Sequence, residues 1–141
     1  MYYSGKKKRH TIKTQVIINP ETKEIICIEQ DKGHVHDFKL FKKNGEGICD
    51  DIKIQADSGY QGIAEIHSNS EIPKKKTKKH PLTKLEKEIN RQISRKRIVI
   101  ENVNAVIKVF KIMAYPYRNH RKRHLLRMSL ICGIINFELR L

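Results

Sequence analysis

DIKIQADSGY, residues 51–60, reads as a strand that runs into a turn. Ile52, Ile54 and Ala56 point one way along residues 51–57, the two-residue period of an extended segment with one buried face. Asp57 closes that run immediately before Ser58-Gly59-Tyr60. Ligand and metal sites in open α/β sheets gather at the carboxyl ends of strands, and a glycine there permits close backbone approach or positive φ. Taken alone, Asp57 is better read as a cap for the short helix expected over residues 60–67.

Upstream, residues 9–18 alternate, with Ile12, Val16 and Ile18 on one face and Thr11, Lys13 and Gln15 on the other. That pattern is a strand with one face buried and one solvated. Asn19-Pro20-Glu21-Thr22 is a turn, and residues 24–29 return as a second strand, so a β-hairpin is expected. Residues 37–43, with Phe38, Leu40 and Phe41, suit a short helix, and residues 44–47 a loop. Downstream, PKKKTKKHP at 73–81 carries too much charge and two prolines, and should be an exposed loop. Helix is expected from about Leu82, resuming strongly over residues 95–113. There Val99, Val103, Val106, Phe110 and Met113 form an apolar seam, opposed by a polar stripe of Arg97, Glu101, Asn104 and Lys108. Tyr115-Pro116-Tyr117 breaks it. A last helix over 122–138, apolar on most of its surface, is expected to pack centrally. The order β-β-α-β-α-α-α is that of an α/β domain.

Composition bounds the partners. The 141 residues suit one domain, and 30 Lys plus Arg against 15 Asp plus Glu give a net charge of +15. The cations cluster at 6–9, 74–79 and 118–127. Such charge favours a polyanion, because each phosphate neutralised releases a counterion. A membrane span is excluded: the longest apolar run, 125–137, is interrupted by Arg127 and falls short of the roughly 20 residues needed. The first residues show no secretory pattern. Three widely spaced cysteines argue against a disulfide framework or zinc ribbon and fit a reducing cytoplasm. Charge does not separate binding of nucleic acid from cutting it.

Two motifs then resemble a family. Asp57-Ser58-Gly59-Tyr60 is similar to the D-x-G-Y signature around the second acid of DDE transposases from bacterial insertion sequences. Arg97, Glu101 and Lys108 match the R-(3)-E-(6)-K signature around the third acid, with Ser94 where the family carries a tyrosine. The opening YYSGKKKRHTIKTQ, residues 2–15, resembles the stretch that follows the family's first catalytic strand. The resemblance implies an α/β, RNase H-like mixed sheet with flanking helices, here lacking its first central strand. Residues 1–72 would be the sheet-forming part with the second acid, 73–81 a basic loop, and 82–141 the helical part with the third acid.

It also implies a chemistry. Three carboxylates hold two Mg²⁺ (or Mn²⁺) ions roughly 3.5–4 Å apart for in-line phosphoryl transfer, and Asp57 and Glu101 would be two of those catalytic, metal-holding acids. Arg97 and Lys108 would contact DNA phosphates, joined by Lys74, Lys75, Lys76, Arg118 and Arg121. The first acid precedes the YYSGKKK-like segment, so the chain is expected to be N-terminally truncated and catalytically incomplete. DNA, at transposon ends, would be its partner, with an upstream transposase fragment or a second copy. A basic DNA- or RNA-binding module without catalysis is the alternative. An Arg97–Glu101–Lys108 surface ladder would explain the polar stripe without a site. Asp31, His34, His36 and Asp37 in DKGHVHD are a weaker metal candidate, and His120 and His124 fit a basic phosphate face better than a ligand pair.

Overall fold

The computed structural model describes residues 3–4, 9–43, 47–77, 81–117 and 121–141, with the backbone alone at 3, 4, 9, 10 and 121. β1 (Tyr3–Ser4) and β2 (Arg9–His10) pair antiparallel, Tyr3 opposite His10. β3 (Ile12–Ile18) and β4 (Ile25–Lys32) form a second two-stranded sheet. The connection between them is too short for a crossover, so the pair is the expected antiparallel hairpin. Asn19 organises its turn. Its Oδ1 accepts the Glu21 and Thr22 amides at 2.9 and 3.3 Å, and its own N–H donates to the Glu24 carbonyl at 2.9 Å. β5 (Ile54–Gln55) and β6 (Ser70–Glu71) pair in parallel, Ile54 opposite Ser70. Small parallel and antiparallel sheets with helices make this a mixed α/β chain.

The strand expected over 51–57 is only two residues long. β6 offers just two partners, so the ladder ends with them. Ile52, expected on the buried face, is 55 % exposed. Its carbonyl is instead 2.6 Å from Nε2 of the buried His67. Gln15 departs in the other direction. It lies on the face expected to be solvated, yet it is buried, and its Oε1 has no partner among the described residues.

Backbone contacts group the chain into two units, Met1–Lys13 with Asp31–Arg97 and Thr14–Gln30 with Ile98–Leu141. In the first, α1 (Asp37–Lys42) buries Leu40 and Phe41, and Ile63 and Ile93 are also fully enclosed. Each such burial contributes about 1.5–3 kcal/mol. α2 (Lys84–Val109) begins in this unit and is one unbroken 26-residue helix. A capping box starts it: Thr83 Oγ1 accepts the Glu86 amide at 3.2 Å, while Glu86 Oε2 accepts the Thr83 amide at 2.9 Å.

The second unit closes around Ile25, Val103, Ile107, Met128, Ile131, Cys132 and Ile135, with Val16, Ile18, Ile28, Phe110 and Met113 packed against them. The expected seam is thus corrected at one place: Ile107 is buried and Val106 is 44 % exposed. Ile107 follows the buried Val103 at i+4 on the same helix face, and beyond it the extended backbone of Phe110 (φ −71°, ψ 105°) ends α2 before α3 (Lys111–Ala114). Phe110 and Met113 therefore reach the core from beyond the break, off the helical register assumed for them.

α4 (His124–Glu138) buries a single stripe of His124, Met128, Ile131, Cys132 and Ile135. Leu126, Leu130 and Phe137 are each about 60 % exposed, so the helix is not central as expected. Asn136 ties it to the hairpin, taking the Ile25 amide on Oδ1 at 2.8 Å and giving Nδ2–H to the Ile25 carbonyl at 2.9 Å. No helix among the described residues is long and apolar enough to cross a membrane.

His124 is also corrected: it faces inward rather than serving a phosphate face. Its Nδ1 is 3.0 Å from Gln30 Oε1, an oxygen that only accepts, so Nδ1 carries the hydrogen. Tyr117 packs edge-on at 4.6 Å, and burial lowers the ring's pKa below its ordinary value. The unfolded chain then binds the proton more readily, so this group's contribution to stability is full above about pH 6.5 and lost as pH falls below it. The melting temperature is expected to fall on acidification through that region, and His124→Gln to flatten this part of the profile. An unchanged slope in the variant would remove His124 as the cause.

Candidate active site

Asp57 stands where β5 gives way to a tight 3-10 turn, Ser58–Tyr60. Its backbone is extended (φ −76°, ψ 163°), and its Oδ1 accepts the Ser58 amide at 2.6 Å, so the carboxylate does cap the turn. The same oxygen is 3.2 Å from Arg97 Nη1, bringing together two site candidates 40 positions apart. The Asp57 side chain is 54 % exposed and that of Arg97 28 %. A half-exposed pair of this kind contributes at most about 1 kcal/mol to stability; its interest is positional.

α1 supports the turn. Phe41 meets the Tyr60 ring edge-on at 6.1 Å, and Phe38 lies under Gly62. Gly62 has φ +92°, and a Cβ there would come 3.1 Å from the Phe38 ring, so both conformation and space call for glycine. Gly59 is similarly placed, since a Cβ would lie 3.1 Å from Asp37 Oδ2. Asp37 is itself paired with Lys13, Nζ to Oδ1 at 3.0 Å. Burial, with the charges of Asp37 and Asp57 adding to it, pushes the Tyr60 hydroxyl up to about 12. Tyr60 therefore stays protonated and able to donate.

Glu101 lies four residues beyond Arg97 on α2, in the second unit, and is exposed. Among the described residues it makes no ion pair, so the surface ladder is not formed and Arg97 is engaged by Asp57 instead. Asn104 is half-buried, and Lys108 is exposed in the last turn of α2, where a cation suits the helix dipole. Lys74, Lys75 and Lys76 are all exposed. The Lys74 ammonium is 2.9 Å from Glu86 Oε1. Arg118, His120 and the clusters at 6–8 and 78–79 lie outside the described residues, and Arg121 is described through its backbone alone.

The DKGHVHD acids are otherwise occupied: Asp31 pairs with Lys43 and accepts the Lys32 amide, and Asp37 pairs with Lys13. No three His, Cys, Asp or Glu side chains among the described residues gather as a metal-binding group. Asp57 offers hard carboxylate oxygen, the donor type Mg²⁺ takes. Both of its hydrogen bonds among the described residues fall on Oδ1, leaving Oδ2 open. The chemistry of this donor fits a divalent ion.

Sequence reasoning passed over Lys13 and Phe41 as parts of this arrangement; Tyr60 was marked only through its motif, and Asp37 only as a weaker metal candidate and a stand-in for the missing acid. The available signal was the pair of glycines flanking Tyr60, since closely spaced glycines around a candidate acid announce a packed neighbour.

The profile of a family described as DDE superfamily endonuclease matches residues 1–136. A probable transposase for insertion sequence element IS702, from Microchaete diplosiphon, is 49 % identical over 140 residues. The match covers 99 % of this chain and 51 % of that protein, so the chain spans about half the length of the relative. No solved structure matches.

Proposed function

The chain belongs to the DDE superfamily endonuclease family, and from that premise we propose that it serves DNA transposition, contributing Asp57 and Glu101 as two carboxylates of an RNase H-like strand-cleavage and joining site. The observation that supports this reading is the Asp57–Arg97 contact, which brings the first residue of one motif to the first residue of the other. The relative's description as a probable insertion-sequence transposase supports the same class of substrate.

In this reading each residue has a distinct task. Asp57 and Glu101 would hold Mg²⁺ or Mn²⁺, which when bound activates the attacking oxygen and stabilises the leaving one. Arg97 holds the Asp57 carboxylate in place at 3.2 Å and would be a bidentate donor to a phosphate. Lys108 adds a point charge for the DNA backbone. Tyr60, protonated, offers a donor beside Asp57. As this sequence stands it supplies two acids, and we take the chain by itself to hold DNA without cutting it. A basic DNA- or RNA-binding module without catalysis is the second reading, supported by the net charge of +15.

DNA binding separates the roles. Glu101→Gln is expected to leave affinity for duplex DNA unchanged or raised, because it removes a negative charge from a phosphate-facing stripe. Lys108→Ala is expected to shallow the slope of log affinity against log salt by about 0.9, one released counterion. Binding titrations over a range of salt check both. A severalfold loss in Glu101→Gln would place that residue in the fold rather than at the site.

A further inference from the structure

The lysine loop is fastened to α2. Asn90 Oδ1 accepts the Lys74 amide at 2.9 Å, and Asn90 Nδ2 donates to the Lys74 carbonyl at 2.9 Å. One side-chain amide thereby satisfies both polar groups of one backbone residue, as a neighbouring strand would. One turn earlier, Glu86 takes the Lys74 ammonium. That carboxylate is held ionised to about 2, chiefly by the Thr83 amide and then by Lys74, so its charge is spent within the protein.

The consequence is a division among three adjacent lysines. Lys74, although its side chain is exposed, is paired with Glu86 at 2.9 Å. Lys75 and Lys76 are exposed and make no ion pair among the described residues. On α2, Lys87 and Arg91, next in sequence to Glu86 and Asn90, are exposed as well. Glu86, Asn90 and Arg97 follow one another at helical spacing, so the loop is fastened to the stripe that ends at the Asp57 contact. Asn90 and Arg97 are two turns apart, about 10.5 Å along the axis.

We infer that Asn90 is a latch that presents Lys75 and Lys76 as a fixed contact for the DNA phosphate backbone leading to Asp57. This rests on the DNA reading given above. A lysine pair on a free loop must be ordered when it binds, and the latch meets that cost in advance. Contact to phosphate, without base edges, makes the interaction independent of sequence.

The test uses the full chain, a short fluorescent duplex of arbitrary sequence, and salt titrations. Lys75→Gln and Lys76→Gln are each expected to shallow the salt slope by about 0.9, while Lys74→Gln leaves it unchanged. Asn90→Ala is expected to bind about tenfold more weakly with the slope kept, since the lysines remain and only their order is lost. Trypsin cleavage after Lys75 and Lys76 should accelerate in Asn90→Ala. An Asn90→Ala protein that binds as the parent does overturns the latch. If that variant does not fold, the lysine series decides: equal slopes for all three lysine variants overturn the division. A parent chain with no affinity for the duplex would instead defeat the DNA reading itself, a distinguishable result.

Discussion

Phe41→Ala is expected to lower the free energy of unfolding by about 3–5 kcal/mol, the range for removing an enclosed phenyl ring from a packed interior. Phe41 is 3 % exposed and stands between α1 and the Tyr60 ring. Its loss leaves a cavity where the ring met Tyr60, beneath the turn that Asp57 caps. Single domains are stable by only about 5–15 kcal/mol, so the change is large. Phe137→Ala is the control: that ring is 64 % exposed, and its removal should matter by less than about 0.5 kcal/mol. Urea denaturation of the two variants compares them directly. Similar midpoints for both would mean that α1 does not carry the turn.

How much of this was legible in the sequence depended on whether the signal was local. The hairpin and α1 follow from short-range periodicity and turn chemistry, and both appear where expected. The end of a strand depends on its partner: residues 51–57 alternate throughout, yet β6 pairs with only two of them. The break at Phe110 carries no proline or glycine to announce it, and spacing alone did not decide between Val106 and Ile107, which stand three and four residues beyond Val103. In α4 nearly every side is apolar, so composition could not select the buried stripe. His124 was misread from its basic neighbours, although its spacing of four from Met128 places it on that stripe. The Asp57–Arg97 contact spans 40 residues, beyond any local period; the motifs marked both residues as site candidates but did not pair them. The Asn90 latch left no periodic trace at all.

The central claim is that this chain brings two acids of a DNA-cutting site, Asp57 and Glu101, and on its own grips DNA without breaking it. Strand cleavage by this chemistry needs the attacking and leaving oxygens both stabilised, which in the proposed reading takes three carboxylates, of which Asp57 and Glu101 are two. The most direct measurement is incubation of supercoiled plasmid with the purified chain and Mg²⁺ or Mn²⁺, beside Asp57→Asn and Glu101→Gln, with plasmid binding followed in the same samples. The account predicts that all three proteins retard the plasmid and that it stays supercoiled. Metal-dependent nicking by the parent chain, abolished in Asp57→Asn and in Glu101→Gln, would contradict it by showing a complete site on these residues alone.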